Sequence, residues 1–406
     1  MLGLALEGGG AKGAFHMGAV KAYFDEGYHF DGVTGTSIGA LNGAIIAQGD
    51  FEIGYQWWQG MDIAFLLDID KIQIQNFLNR KIDKDVLVYL FSKLKDIVEN
   101  RGLDTKKIRE TLDNIVVEEK LRASKIDFGL VTVSVSDLKP LELYKEDIPL
   151  GKLVDYLMAS ANFPAFKIEP IEGKFYIDGG FYDNCPINLL IRKGYKEVIA
   201  IRTLGMGLTR KLEDAEVKVT NIIPSEDLGR ILNFDQNLIQ INLKMGYFDA
   251  MRIIKGLKGR RYYIEPIDND LIFNSLLSMP EDVIYEMGRI MHLPEMEPKR
   301  LLFEQVFPTL SRILGFSTTS TYQDILLGVL EYMAEEKGIN KYKIWSLLSF
   351  WEVIKSNDND GVSPPISFIS DIVKTAKLKL ISPNDVALKE IAKLLLIGLR
   401  SERFPQ

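Results

Sequence analysis

The pentapeptide Gly35-Thr36-Ser37-Ile38-Gly39 is the feature that most constrains what this chain can fold into. It stands where the strand-like run Gly32-Val33-Thr34 gives way to a helix-like pattern. A serine in this setting is typical of a nucleophile elbow, where the backbone turns so sharply that only glycine fits two residues before and after it. The pattern predicts an α/β sheet with the Ser37 hydroxyl exposed at a strand end. Five residues alone are a weak signal for a hydrolase, so the context has to decide.

A glycine-rich turn near the start of the chain supplies that context. The apolar run Leu2–Leu6 predicts a short buried strand, and a helix is expected from about Ala14 to Glu26. Consecutive glycines bring backbone N–H groups together, and the helix adds its positive N-terminal end, so we expect an anion to bind here. In a hydrolase that anion is the oxyanion of a tetrahedral intermediate. The expected oxyanion hole comprises Gly8, Gly9, Gly10, Ala11, Lys12 and Gly13.

The same glycines allow an alternative function. Gly8, Gly10 and Gly13 also fit a dinucleotide-binding turn, and Asp31 lies at about the right distance to bind a ribose. That acid should close the second strand, however, whereas Asp31 precedes it. A Walker-type phosphate loop needs serine or threonine after its lysine, and Lys12 is followed by Gly13. A nucleotide-binding oxidoreductase or sensor therefore remains only as the alternative.

A serine nucleophile needs a base, and the three histidines are poorly placed to provide one. His16 falls within the first helix, His29 in a polar turn, and His292 in the distant C-terminal part of the chain. Each is more typical of a structural or surface histidine than of a catalytic one. We therefore expect the base to be a carboxylate.

Asp178 is the best carboxylate candidate. It ends the strand-like run Lys174–Ile177 and precedes Gly179 and Gly180, which indicates a loop tip. On its own an Asp-Gly pair indicates an ordinary turn. Because the ends of parallel strands meet at a shared crevice, we expect Asp178 to lie near Ser37. An aspartate of ordinary pKa is a weak base at neutral pH, so we also expect burial that raises its pKa.

The glycine turn, the serine elbow and Asp178-Gly179-Gly180, in this order, resemble the patatin-like phospholipase family. The resemblance covers about residues 2–265 and extends to His16 and Gly18 in the first helix and to Asn184 and Pro186 after Asp178. It implies a three-layer α/β/α sandwich with a mostly parallel or mixed central sheet. It further implies hydrolysis of lipid acyl esters by a catalytic dyad of Ser37 and Asp178, through an acyl-enzyme on Ser37. The expected substrate is a phospholipid or lysophospholipid, and no cofactor or metal is expected.

The composition is typical of a globular protein: 406 residues, 47% hydrophobic and 26% charged, with a net charge of -7 and one cysteine. One cysteine, Cys185, excludes an intrachain disulfide framework, and we assign it no role. The acidic balance disfavours nucleic acid as a partner and leaves membrane contact to hydrophobic or local features. The chain starts without a signal-like segment and has no apolar run long enough to span a membrane, so we expect a cytoplasmic protein that can contact a membrane peripherally. The sequence allows an oligomer but does not specify one.

Three regions organise the chain. We expect a catalytic domain over residues 1–271, a helical cap inserted at about residues 53–123, and a C-terminal all-helical domain of unknown role over residues 272–406. Within the cap, the segments Trp57-Trp58 and Phe65-Leu66-Leu67 pack the core, line an acyl-chain pocket or touch a bilayer surface, and packing is the more common outcome. The run Asp358–Gly361 is expected to form a solvated turn, because a glutamate is missing where a calcium loop requires one.

Overall fold

The computed structural model describes residues 1–61, 105–163, 166, 169–356 and 383–399. The chain divides into two compact units, Met1–Ile253 and Ile254–Gln406. The domain boundary that the sequence places between residues 271 and 272 stays a prediction. The cap expected at residues 53–123 is described only at its two ends, and the segments Phe65-Leu66-Leu67 and Asp358–Gly361 lie outside the described residues.

The N-terminal unit is built around a seven-stranded mixed sheet with flanking helices, which confirms the expected fold class. Its strands are β1 (Leu2–Leu6), β2 (Gly32–Thr36), β3 (Asp127–Ser134), β4 (Lys139–Tyr144), β5 (Tyr176–Asp178), β6 (Glu197–Ile201) and β7 (Lys218–Ile222). Its helices are α1 (Ala14–Asp25), α2 (Ile38–Ala47), α3 (Phe51–Gly60), α4 (Lys106–Ile115), α5 (Glu118–Ala123), α6 (Leu153–Ser160), α7 (Ile187–Arg192) and α8 (Gln236–Lys255).

The strands follow the order β4-β3-β2-β1-β6-β7, and β5 pairs with β3. The neighbours from β3 through β7 in this order are parallel, whereas β4 and β5 run antiparallel to β3. Strands β1 and β2 are almost wholly buried because helices cover both faces of a parallel sheet. Strand β4 begins at Lys139 and includes a proline, Pro140. Pro140 is tolerated there because β4 is an edge strand.

Two strands meet end to end along one edge of β3. Strand β2 runs parallel to β3 and stops with Thr36 opposite Val131. Strand β5 runs the other way and stops with Asp178 opposite Thr132. Because β4 occupies the other edge of β3, the C-terminal ends of β2 and β5 face each other on this edge. The elbow after β2 and the acid that ends β5 are thereby brought together. The sequence predicted that the ends of parallel strands would do this, but β5 is antiparallel to β3.

The C-terminal unit contains the expected helical region. Its helices are α9 (Asn269–Leu277), α10 (Glu281–Ile290), α11 (Pro298–Arg300), which continues through a π-helical stretch (Leu301–Val306) into α12 (Phe307–Ile313), then α13 (Tyr322–Glu336), α14 (Leu347–Ser356) and α15 (Pro383–Gly398). A short parallel pair, β8 (Tyr263–Ile264) and β9 (Ile344–Trp345), accompanies them. The unit has its own apolar core, with Phe307, Leu330 and Trp351 fully or almost fully buried.

Among the residues that the structure describes, none of the helices combines the length and the apolar character that crossing a bilayer requires.

Candidate active site

Ser37 occupies the turn between β2 and α2. Its backbone has φ 56° and ψ -129°, a left-handed conformation that non-glycine residues seldom adopt. The turn is so tight that a Cβ atom on Gly35 would lie 2.2 Å from the carbonyl carbon of Gly39. The strained turn expected from the sequence is therefore present, and its strain is of the kind that accumulates at functional sites.

A buried serine on another helix holds this turn in place. The backbone N–H of Ser37 donates to Ser160 Oγ at 3.0 Å, and the Ser160 hydroxyl donates to the Val131 carbonyl at 2.7 Å. Ser160 is the last residue of α6 and is fully buried. It therefore connects the strained serine to β3, the strand on which β2 and β5 meet. Ser160 was not among the residues singled out from the sequence, because nothing in its local pattern distinguishes it from an ordinary helical serine.

The Asp178 carboxylate lies beside the Ser37 hydroxyl. It accepts a hydrogen bond from that hydroxyl, and another from the Gly180 N–H at 2.8 Å. The Asp178 side chain is only 7% exposed, and this burial raises its pKa from 3.8 to about 6, although both hydrogen bonds act in the opposite direction. At neutral pH the carboxylate is therefore mostly ionised but more basic than an exposed aspartate.

The glycine turn after β1 presents two backbone amides to the site. Within it, the N–H of Gly8 donates to the Asn184 carbonyl at 2.9 Å and the N–H of Ala11 to the Ile231 carbonyl at 2.7 Å. No acceptor among the described residues takes up the N–H groups of Gly9 and Gly10, and both glycines line the same cavity as Ser37. Of the six residues expected to form an oxyanion hole, Gly9 and Gly10 are thus the pair whose amides remain available.

Gly10 cannot readily be replaced. Its φ of +57° suits glycine, and a Cβ atom there would lie 2.3 Å from the Ile231 carbonyl oxygen.

A buried ion pair next to the glycine turn helps to hold it in place. The Glu7 carboxylate pairs with Arg202 at 2.9 Å and accepts the backbone N–H groups of Thr203 and Leu204 at 2.7 and 2.9 Å. The Thr203 hydroxyl in turn donates to the Gly8 carbonyl at 2.6 Å. These bonds tie the glycine turn to the end of β6. Glu7 was not among the residues singled out from the sequence, because an acid directly after a strand is common and its partners are distant in sequence.

The cavity in front of Ser37 is predominantly apolar. Trp57 of α3 lines it, whereas its neighbour Trp58 is fully buried and donates its indole N–H to Asn42 Oδ1 at 2.9 Å. Trp58 thus packs in the core, as the more common outcome has it, whereas Trp57 lines the cavity; an acyl chain in that cavity stays a prediction. Other apolar side chains along the wall include Ile38, Leu41, Ile108, Met158, Phe163, Phe166, Phe181, Met206, Ile231, Leu232 and Phe234. A wall of this kind suits a hydrocarbon chain.

None of the histidines and the cysteine of the N-terminal unit, His16, His29 and Cys185, lines this cavity. His16 is fully buried, and burial lowers its pKa to about 3; its Nδ1 lies 3.4 Å from Asn42 Nδ2. His29 is exposed, and neither His16 nor His29 lines the cavity, while His292 belongs to the C-terminal unit. Burial raises the pKa of the Cys185 thiol, so it is not a reactive thiolate.

Asp31 argues against the nucleotide alternative. Its carboxylate accepts the backbone N–H of Leu2 at 2.7 Å, at the beginning of β1. The glycine turn follows the other end of β1, after Leu6. The two features therefore lie at opposite ends of the sheet, and Asp31 cannot bind the ribose of a nucleotide held by the glycine turn.

Comparison with known proteins agrees with this geometry. A sequence model of the family described as patatin-like phospholipase matches residues 4–191. A patatin-like phospholipase domain-containing protein of Caenorhabditis elegans is 25% identical over 283 residues, which cover 65% of this chain and 18% of that protein. Lysophospholipase NTE1 of Mycosarcoma maydis is 24% identical over 299 residues, covering 71% of this chain and 14% of that protein. The neuropathy target esterase sws of Drosophila melanogaster is 26% identical over 202 residues, which cover 49% of this chain and 13% of that protein.

The chain thus aligns with less than a fifth of the length of each of these relatives. Among solved structures it is similar to VipD from Legionella pneumophila, with 14% sequence identity and a TM-score of 0.39, over 100% of this chain and 93% of that one. The matched family region contains the glycine turn, the serine elbow and Asp178. Residues 4–191 of this chain are therefore a domain of the patatin-like phospholipase family.

Proposed function

We propose that this chain is a lipid acyl hydrolase of the phospholipase A or lysophospholipase type, which cleaves carboxylic esters through an acyl-enzyme on Ser37. One observation carries the proposal: the Ser37 hydroxyl donates to a buried carboxylate, Asp178, on the wall of an apolar cavity. The names of the relatives, a lysophospholipase and an esterase among them, support the same class of reaction.

In the first step Asp178 accepts the Ser37 proton while Ser37 Oγ attacks the ester carbonyl carbon. A pKa of about 6 leaves Asp178 ionised at neutral pH and makes it a stronger base than an exposed aspartate. The carbonyl oxygen becomes an oxyanion and accepts hydrogen bonds from the N–H groups of Gly9 and Gly10, each worth roughly 3 kcal/mol in comparable sites. When the tetrahedral intermediate collapses, the leaving alcohol takes the proton from Asp178, and the acyl group stays on Ser37.

The second step reverses these roles. Asp178 accepts a proton from a water molecule while the oxygen of that water attacks the carbonyl carbon of the acyl-enzyme. The backbone N–H groups of Gly9 and Gly10 again stabilise the oxyanion. Collapse of this intermediate breaks the bond to Ser37 Oγ, which recovers its proton from Asp178. A fatty acid leaves, and the dyad is ready for another substrate.

The cavity indicates which part of the substrate lies inside the protein. Its wall combines the aromatic side chains of Trp57, Phe163 and Phe234 with methionine and aliphatic groups. We place the acyl chain of a phospholipid or lysophospholipid along this wall, with the ester between Ser37 and Gly9. Such a substrate comes from a membrane or a micelle, so the enzyme must work in peripheral contact with a lipid surface.

Active-site labelling tests the proposal directly. A fluorophosphonate probe should label the wild type at Ser37, mapped by mass spectrometry, and fail to label Ser37→Ala. Ser136→Ala removes an exposed serine from the same unit and should label as the wild type does. A panel of lipids assayed by product mass spectrometry should show fatty acid release by the wild type and by Ser136→Ala only. Labelling that persists in Ser37→Ala, or lipid release unaffected by that change, would refute the proposal.

A further inference from the structure

The loop between β6 and β7 (residues 202–217) carries large apolar side chains into solvent beside the cavity. Leu204 is 58% exposed and Leu208 is 60% exposed, while Met206 between them lines the cavity wall. Exposing two leucines next to a binding site is unfavourable in water, and such patches mark contact surfaces. The question is what covers them.

Hydrogen bonds hold the backbone of this loop in place. A loosely held loop is therefore not the reason why the leucines face solvent. The N–H of Leu204 donates to the Glu7 carboxylate at 2.9 Å, and the N–H of Leu208 donates to the Gly180 carbonyl, also at 2.9 Å. The Leu208 carbonyl accepts the N–H of Asn184. Leu204 also has a φ of 50°, a conformation that leucine rarely adopts. The structure thus holds both side chains outward at the expense of local strain.

The charges of the loop identify a partner. Of the three acids that follow the leucines, Glu213 pairs with Arg192 and Asp214 pairs with Lys196, whereas Glu216 is exposed. Arg210 and Lys211 are exposed, and in the described part of the chain neither of them forms an ion pair. Arg210 instead stacks its guanidinium 4.5 Å from the centre of the Tyr182 ring. The segment that follows Leu208 therefore presents two exposed cations, of which Arg210 lies near the carboxylates of Asp183 and Glu213, in a chain whose net charge is -7.

We infer that the β6–β7 loop docks the mouth of the cavity on an anionic phospholipid surface. Leu204 and Leu208 enter the apolar layer of that surface, and Arg210 and Lys211 contact the phosphates above it. Met206 then lies between the lipid and Ser37, so that an acyl chain reaches the cavity without crossing water. This inference rests on the proposed function for its substrate, but the docking itself can be measured without catalysis.

Vesicle binding by the full chain carrying Ser37→Ala provides that measurement, since this variant is not expected to consume the lipid. Vesicles of phosphatidylcholine are compared with vesicles that also contain about one-fifth phosphatidylserine. Leu204→Asn and Leu208→Asn should each weaken binding about tenfold, and asparagine is chosen because it tolerates the positive φ of position 204. Lys211→Gln should weaken binding to the phosphatidylserine vesicles about fivefold and leave binding to pure phosphatidylcholine almost unchanged.

Leu150→Asn is the matched control. Leu150 is 82% exposed, but it follows β4, which runs antiparallel to β3 and ends at the other end of the sheet from the cavity. Its replacement should leave vesicle binding within about twofold of the parent. With Ser37 restored, the Leu204 and Leu208 variants should hydrolyse a soluble short-chain ester at the wild-type rate and vesicle lipid more slowly.

Three results would overturn the docking inference. They are unchanged vesicle binding by the two leucine variants, an equal loss in Leu150→Asn, and a wild-type dimer that the leucine variants convert to monomer, which would assign the loop to a second copy of the chain. Leucine-dependent vesicle binding by a protein that no fluorophosphonate labels would uphold the docking and refute the proposed hydrolase.

Discussion

Replacing Asp178 with asparagine should abolish turnover and, at the same time, stabilise the protein. The folded state raises the pKa of this carboxyl from 3.8 to about 6 because the group is buried. An acid whose pKa is raised by folding stabilises the folded state fully only below its unfolded pKa, and this contribution is lost as the pH rises through the folded pKa. The pKa difference corresponds to about 3 kcal/mol at neutral pH. The asparagine variant has no charge to bury, so its free energy of unfolding should not fall by this amount as the pH rises.

The chain offers a matched comparison for this variant. Asp183 is also buried, and burial raises its pKa to about 6, but it does not line the cavity and its carboxylate accepts the N–H groups of Arg210 and Cys185. Asp183→Asn should therefore show the same pH-dependent stabilisation as Asp178→Asn while it continues to hydrolyse lipid. The pair separates the cost of burying a charge from the catalytic use of that charge.

Urea unfolding at several pH values, together with fatty acid release, provides the assay. Relative to wild type, the free energy of unfolding of both variants should rise between about pH 4 and pH 6 and then remain up to 3 kcal/mol higher. A stability difference that does not change over this interval would refute the argument from burial. Turnover by Asp178→Asn close to the wild-type rate would show that another group is the base.

Three further predictions follow from the same site. The kcat/KM of the wild type should rise about tenfold per pH unit below pH 6 and level off above it, because Asp178 acts only when ionised; a profile flat between pH 4.5 and 7 would contradict this role. Ser160→Ala should lower kcat about tenfold with little change in KM, because the N–H of Ser37 loses its acceptor and the strained turn its anchor; an unchanged kcat would show that the anchor is dispensable. Trp58→Ala should lower the free energy of unfolding by about 3–5 kcal/mol, whereas Trp57→Ala should mainly raise KM for long acyl esters; equal stability losses would contradict their different positions.

Much of the fold could be read from local sequence because several elements carry strong signals. The expected helix from about Ala14 to Glu26 is α1, and the strand expected over Leu2–Leu6 is β1 with the same bounds. Burial on both faces gives such strands continuous apolar runs that are easily recognised. The serine elbow could also be predicted from the sequence, because the tight backbone turn at Ser37 requires glycine at positions 35 and 39.

Strand β7 shows where local reasoning fails. Its sequence Lys-Val-Thr-Asn-Ile alternates weakly, and all but one of its residues are exposed or partly buried because it lies at the edge of the sheet. Its place is set by pairing with β6, which no local pattern encodes. Ser160 and Glu7 were missed for a related reason: both act through contacts with residues distant in sequence, and a serine at a helix end or an acid after a strand is common. The proximity of Asp178 to Ser37 was expected, but through parallel strand ends, whereas the antiparallel strand β5 provides it.

The meeting of β2 and β5 on one edge of β3 has a consequence for how this chain can change. The spacing of Val131 and Thr132 along a single strand determines how far apart the serine and the acid lie, so the long connection between them does not. Insertions between residues 38 and 175 that leave β3 intact can therefore reshape the cavity without moving Ser37 relative to Asp178. A shift of one residue in the pairing of β5 with β3 would instead turn the Asp178 side chain to the opposite face of the sheet, away from Ser37.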